Sequence, residues 1–129
     1  MSRTPEEQRN LELVLEMFHN VLVPLDSSAV DRYISPDYIQ HSQMAPPGVE
    51  SLKAFLDRVR AENPNAEQHL KRAFVDGDHV ILHYHVKRHP EDLGFAVIDI
   101  FRVADGKIVE HWDVVQDVPA NPVNPNSMF

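Results

Sequence analysis

The second half of the chain alternates long strand-like segments with short turns, and this pattern restricts the possible folds more than any other feature. The turns are Asp76-Gly77-Asp78 and Ala104-Asp105-Gly106, and a longer loop at residues 89–94 lies between them. Consecutive strands joined by short turns pair antiparallel. The sequence therefore predicts an antiparallel meander of four strands, over residues 68–75, 79–88, 95–103 and 107–117.

The first half of the chain has the spacing of amphipathic helices. Thr4 can cap a helix, Pro5 suits its first position, and Glu7 completes a capping box. The pattern predicts a first helix that stops at Pro24, a short helix over residues 28–33 and a third over residues 49–62, with residues 37–42 as a link that can be extended. Helices followed by an antiparallel meander predict an α+β fold. We expect one domain over residues 1–117 and a proline-rich tail over residues 118–129.

Composition excludes several classes of function. The 129 residues are enough for one domain, and 43% of them are hydrophobic, so a core can be buried. A net charge of -8 argues against nucleic-acid binding, which depends on clustered cations. No apolar run is long enough to span a membrane. Because the first ten residues lack a signal-peptide pattern, we expect a cytoplasmic location, although the absence of cysteine also suits an oxidising compartment.

The third predicted strand carries a carboxylate in the middle of an apolar stripe. Because side chains alternate along a strand, Asp99 shares a face with Val97 and Phe101. An unpaired charge there would cost several kcal/mol or shift its pKa upward. One interpretation is structural, with Asp99 accepting a hydrogen bond from a buried tyrosine or arginine. The other is functional, because a carboxylate with a raised pKa suits a general base or acid near neutral pH.

The pairing register of the last two strands decides what surrounds Asp99. A three-residue loop would place Asp99 opposite His111, with Asp113 on the same surface. A two-residue loop would place Trp112 opposite Asp99 instead. We favour the first register because it groups polar side chains with polar ones. Under it, the apolar side chains of the other face predict burial against a second copy of the chain; they are Ile98, Ile100, Ile108, Trp112 and Val114.

Several histidines are further candidates for the site. His83 and His85 project from one side of the second strand, either into a cavity or into solvent. Their spacing from Gly77 resembles the start of a cupin metal motif, but Glu91 comes too late to complete it, so we predict no metal. His41 follows Tyr38 in a connection that could cross the mouth of the sheet. With only four glycines and no Gly-x-Ser-x-Gly motif, we also expect no nucleotide cofactor and no serine nucleophile.

The last two strands resemble a known family. Residues 97–113, VIDIFRVADGKIVEHWD, are similar to the closing hairpin of SnoaL-like proteins of the nuclear transport factor 2-like superfamily. The segment Tyr38-Ile39-Gln40-His41, followed by Pro47-Gly48 and a helix, agrees with the same group. The resemblance implies a cone-shaped barrel, in which a curved antiparallel sheet wraps around the N-terminal helices and encloses an apolar pocket. It also implies a homodimer formed through the outer face of the sheet.

The resemblance further implies a chemistry. Characterised members include polyketide cyclases that close a ring by intramolecular aldol condensation without a cofactor, using an aspartate as acid/base and a histidine to assist it. Asp99 best matches that aspartate and His85 that histidine, and His111 and Asp113 match the closing motif. Either Asp99 or Asp113 could carry the acid/base role. The remaining candidates would bind a small apolar, carbonyl-bearing substrate; they are Tyr38, His41, His83, Phe95, Val97 and Phe101. We therefore expect a lyase- or isomerase-type enzyme, and the alternative is a non-catalytic dimeric module that binds a small hydrophobic ligand.

Overall fold

The computed structural model describes residues 2–129 and has three α-helices in its first half. Helix α1, Pro5–Met17, continues into a π-helical turn, Phe18–Leu22. A 3-10 turn, Ser27–Ala29, leads into α2, Val30–Tyr33, and α3 is Val49–Glu62. The predicted capping box is confirmed: the Glu7 N–H donates to Thr4 Oγ1 at 3.1 Å, and the Thr4 N–H donates to the Glu7 carboxylate at 2.9 Å.

Five strands form one curved sheet in the order β1-β5-β4-β3-β2. The strands are β1 Ile34–Gln40, β2 Glu67–Asp76, β3 His79–Lys87, β4 Phe95–Ala104 and β5 Lys107–Asp117. The four predicted strands are confirmed as an antiparallel meander. The sheet is not purely antiparallel, however, because the predicted link forms β1, which pairs parallel with β5. Within the described residues β1 and β2 are the two edges, so the α+β cone is open and not a closed barrel.

The core lies between the helices and the concave face of the sheet, which we call the inner face. Val80, Leu82 and Phe101 project from the strands onto Val14, Phe18 and Val21 of the first helical segment, and all are buried. This face therefore needs no second subunit to cover it. Among residues 2–129, no helix is long and apolar enough to cross a membrane.

The turn between β4 and β5 differs from the predicted one. It has two residues, Asp105 and Gly106, both with positive φ (51° and 73°), as a tight hairpin turn with Asp-Gly requires. The pairing then shifts at a β-bulge, in which Val109 is the extra residue on β5. The predicted three-residue loop is therefore wrong.

The bulge nevertheless preserves the predicted grouping of polar side chains. Beyond it Asp99 lies opposite Asp113, and Phe101 lies opposite His111. This register differs from the predicted one by two residues, an even number, so the same side chains stay on the inner face. Ile108 precedes the bulge and is buried on the inner face, opposite Val103, so its predicted place on the other face is wrong.

Candidate active site

A pocket of about 170 Å³ opens between the inner face of the sheet and the helices. Its apolar wall comes from β4, α3 and the first helical segment. Four of the predicted substrate-binding residues line it: Tyr38, Phe95, Val97 and Phe101. Its polar side chains come from β1, β2, β3, β4, β5 and the segment after β1; they are Gln40, Ser42, Gln68, Tyr84, Asp99, His111 and Asp113. No lysine or arginine is among the lining residues, so the pocket favours uncharged ligands over anions.

Asp99 is the most deeply buried charged residue of the pocket, with 2% of its surface exposed. One of its carboxylate oxygens accepts a hydrogen bond from the Tyr84 hydroxyl at 2.7 Å. The other lies 2.8 Å from Nε2 of His111. Burial, followed by the nearby charges of Asp99 and Asp113, raises the pKa of Tyr84 well above its usual value, so this hydroxyl keeps its proton and donates it.

The strand that sequence analysis missed completes the site. Side chains of Tyr38, Gln40 and Ser42 alternate inward from β1 and the residues after it, whereas Ile39 and His41 project outward. Gln40 is the register partner of His111, and its Oε1 lies 2.7 Å from His111 Nδ1. The alternation of side chains over residues 38–42, with the period of two that is typical of a strand, is the signal that could have identified Gln40 and Ser42.

A second carboxylate extends this polar cluster. The Ser42 hydroxyl donates to Asp113 Oδ2 at 2.8 Å, and the Ser42 N–H donates to Gln40 Oε1 at 3.0 Å. Every buried side-chain nitrogen and oxygen of the described residues has a hydrogen-bond partner. The cluster is therefore fully connected, which fixes the geometry of its members.

Three predicted site residues do not line the pocket. His83 and His85 project from the outer face of β3, because the neighbouring Leu82 and Tyr84 occupy the inner face. His85 Nε2 lies 2.7 Å from the Leu93 carbonyl oxygen, and both imidazoles stack against the Phe129 ring of the tail. The expectation that these two histidines line the cavity is wrong, because the alternation of the strand turns them away from Asp99.

His41 also lies on the outer side of the sheet. Its ring stacks on Trp112 with centroids 4.9 Å apart, and its Nε2 contacts Glu110 at 2.7 Å. The hydrogen bonds from His41 and Arg102 lower the pKa of Glu110. His41 therefore does not line the pocket, since the adjacent Gln40 takes the inward position.

Asp99, His111 and Asp113 are also the one group in residues 2–129 whose ligand atoms are close enough for a metal ion, within 4.8 Å of one another. Hydrogen bonds from Tyr84 and Ser42, and the contact between His111 and Asp99, already engage this group. A cation would have to displace the contact between His111 and Asp99. We therefore treat the three side chains as a hydrogen-bonded cluster.

Comparison with known proteins identifies related chains. A family model described as SnoaL-like polyketide cyclase matches residues 12–121. A search of curated proteins finds no match.

Solved structures share the fold at low sequence identity. A proposed polyketide cyclase from Acidithiobacillus ferrooxidans is 20% identical, with a TM-score of 0.71 over 89% of this chain and 91% of that one. A proposed SnoaL-like polyketide cyclase from Jannaschia sp. CCS1 is 22% identical, with a TM-score of 0.72 over 89% and 90%. A SnoaL-like protein of unknown function from Burkholderia thailandensis is 14% identical, with a TM-score of 0.72 over 88% and 99%. At these identities the likeness establishes the fold alone.

Proposed function

This chain belongs to the SnoaL-like polyketide cyclase family, and we propose that it removes a proton next to a carbonyl group of an apolar substrate, in an aldol condensation or isomerisation that needs no cofactor. The observation that carries this proposal is a buried carboxylate, Asp99, paired with His111 at 2.8 Å on the wall of an apolar pocket. A positioned acid/base pair that is shielded from water is what proton abstraction from carbon requires.

The proposed reaction is a proton transfer followed by formation of a carbon–carbon bond. The carboxylate of Asp99 takes the proton from the carbon next to the carbonyl, and the resulting enolate carbon attacks a second carbonyl of the same substrate. The alkoxide that forms takes a proton back from the Asp99–His111 pair, so the enzyme ends as it began. Asp113 is the alternative base, because it lies within the same cluster. The Ser42 hydroxyl bonds to one of its two oxygens, and the other could accept the proton.

The pocket also restricts the proposed substrate. A cavity of about 150 Å³ holds a benzene molecule. The volume of about 170 Å³ therefore suits a segment of about one ring, and a larger substrate would extend through the mouth. The two carboxylates and the absence of a lining lysine or arginine disfavour an anionic substrate. A neutral ketone with about one ring inside the pocket suits both its volume and its charge.

Our proposal includes a homodimer through the outer face of the sheet. Ile98 and Val114 are cross-strand partners there, and 37% and 70% of their surfaces are exposed. Ile100 and Trp112 form the next pair along the same strands and are partly covered. A second copy of the chain would remove this apolar strip from water.

Turnover of a panel of uncharged mono- and diketones tests the proposed function. Asp99→Asn preserves shape and removes the base, so we expect turnover to fall by about 100- to 10,000-fold. Asp113→Asn tests the alternative base, and Asp105→Asn is the matched control, because Asp105 lies in the exposed β4–β5 turn, where asparagine also tolerates a positive φ.

One result would favour the alternative function. The fully satisfied hydrogen bonds of Asp99 also suit a static polar network in a module that only binds ligand. Turnover that stays within a few-fold of wild type in both Asp99→Asn and Asp113→Asn, or ligand binding without turnover of any panel member, would overturn the proposed enzyme.

A further inference from the structure

We propose that Gln40 is a positioning residue, whose side-chain amide holds the proton of His111 on Nδ1 and so directs Nε2 to Asp99. The tautomer follows from the hydrogen bonds of β1 and β5. Its consequence for turnover rests on the proposed function.

The orientation of the Gln40 amide is fixed by a backbone group. The N–H of Ser42 lies 3.0 Å from Gln40 Oε1, and a backbone N–H can only donate. The reversed amide would turn its own NH₂ toward this donor. The other end of the amide agrees, because Nε2 donates to the Tyr38 hydroxyl oxygen at 3.2 Å. Oxygen therefore faces Ser42 and His111.

The oriented amide then determines where His111 carries its proton. Gln40 Oε1 lies 2.7 Å from Nδ1 of His111, and an amide oxygen can only accept. Nδ1 must therefore be protonated in either charge state of the ring. A single proton then lies between Nε2 of His111 and Asp99 Oδ1, which are 2.8 Å apart, and it belongs to the imidazolium or to the carboxylic acid.

Packing alone would not give this result. The His111 ring stacks on Phe101 with centroids 4.8 Å apart and planes 22° apart. Such stacking fixes the plane of the ring. It hardly distinguishes the ring from one rotated by 180° about the Cβ–Cγ bond, in which nitrogen and carbon atoms exchange positions. The hydrogen bond to Gln40 distinguishes the two orientations. Gln40 thus keeps Nε2 at the carboxylate by acting through His111.

Nitrogen-15 NMR of the His111 ring tests the proposed tautomer without any substrate. Both wild type and Asp99→Asn are measured. The neutral amide of Asn at position 99 forms no ion pair with a doubly protonated His111 ring, so this variant reports the tautomer of the neutral ring. We expect a protonated Nδ1 in both proteins. Gln40→Met keeps the length of the side chain and removes the acceptor, so in the Asp99→Asn background we expect a mixture of tautomers.

Two further variants complete the test. Gln40→Glu retains an oxygen that accepts from Ser42 and His111, so it should restore the protonated Nδ1. Ser42→Ala is the matched control for the NMR measurement alone, because it removes the hydroxyl bonded to Asp113 but keeps the backbone N–H that orients Gln40. In turnover, Gln40→Met should lower kcat by about tenfold or more with KM little changed, and Gln40→Glu should recover part of the loss.

The outcomes separate this proposal from the proposed function. An unprotonated Nδ1 in wild type, or a Gln40→Met spectrum identical to its parent, would overturn the role of Gln40 even if Asp99→Asn abolished turnover. A protonated Nδ1 that depends on Gln40, in a protein that turns over no ketone, would support the positioning role and overturn the enzyme. Circular dichroism of each variant shows whether it is folded.

Discussion

The hydrogen bond between Tyr84 and Asp99 offers a quantitative test of the buried site. Tyr84→Phe removes one hydroxyl and leaves the ring, which packs edge-on against Phe18 with centroids 5.0 Å apart. The substitution therefore opens almost no cavity in the core, and its effect on stability reports mainly the lost hydrogen bond.

The expected loss follows from the geometry of that bond. The oxygens are 2.7 Å apart and the acceptor is a carboxylate with 2% of its surface exposed, so the bond is of the short, charge-assisted type. Hydrogen bonds to charged groups contribute about 1.5–3 kcal/mol to folding, whereas neutral ones contribute about 0.5–1.5 kcal/mol. We expect Tyr84→Phe to lower the free energy of unfolding by about 1.5–3 kcal/mol at pH 7.

Urea unfolding followed by the fluorescence of Trp112, the single tryptophan, measures this loss. Tyr33→Phe is the matched control, because the Tyr33 hydroxyl accepts a neutral hydrogen bond from Asn20 at 2.8 Å and should cost less. A double-mutant cycle with Asp99→Asn isolates the pair. Equal losses in the two tyrosine variants, or a coupling energy near zero, would refute a charge-assisted bond at Asp99.

Three further predictions concern the outer face and the response to pH. Val114→Lys should make the protein monomeric at concentrations where wild type sediments as a dimer, whereas Val123→Lys in the exposed tail should not; a wild-type monomer would exclude the proposed interface. Because its pKa is lowered from 4.5 in the folded state, Glu110 stabilises the protein above that pH and loses this effect as the pH falls further. Glu110→Gln should therefore destabilise the protein at pH 6, and in urea unfolding its difference from wild type should shrink as the pH falls below 4.5. Because its pKa is raised, Tyr84 stays protonated until the protein unfolds in alkali and adds no phenolate absorbance while the protein is folded. The absorbance of folded Tyr84→Phe should therefore rise with pH as it does in wild type. A smaller rise in the variant would contradict the burial of Tyr84.

The strands and helices were predictable because their signals are local. The capping box of Thr4 and Glu7 and the alternation around Asp99 each depend on a few neighbouring residues. The grouping of Asp99, His111 and Asp113 on one face was also predictable, since a register error of two residues returns every side chain to the same face. Tyr84 donates the hydrogen bond that the structural interpretation of Asp99 expected, and the catalytic role of Asp99 stays a prediction.

The errors arose where pairing across the sheet decides the structure. Val109 forms a bulge that no local pattern marks, so the register and the place of Ile108 could not be read from the sequence. β1 contains Pro36 and pairs irregularly with β5, which hid the strand that carries Gln40. Both faces of β3 carry side chains that could line a pocket, so the sequence did not show which face points inward. The packing of Tyr84 against the core turns His85 outward.

Hydrogen–deuterium exchange at carbon tests the central claim most directly, because it detects proton removal even when no product forms. A ketone that binds the pocket is incubated with the protein in deuterium oxide, and the signal of its protons next to the carbonyl is followed by NMR. Wild type and Asp105→Asn should exchange these protons at the same rate, and Asp99→Asn should be slower by about 100-fold or more. Exchange in Asp99→Asn within a few-fold of wild type would contradict a base at Asp99.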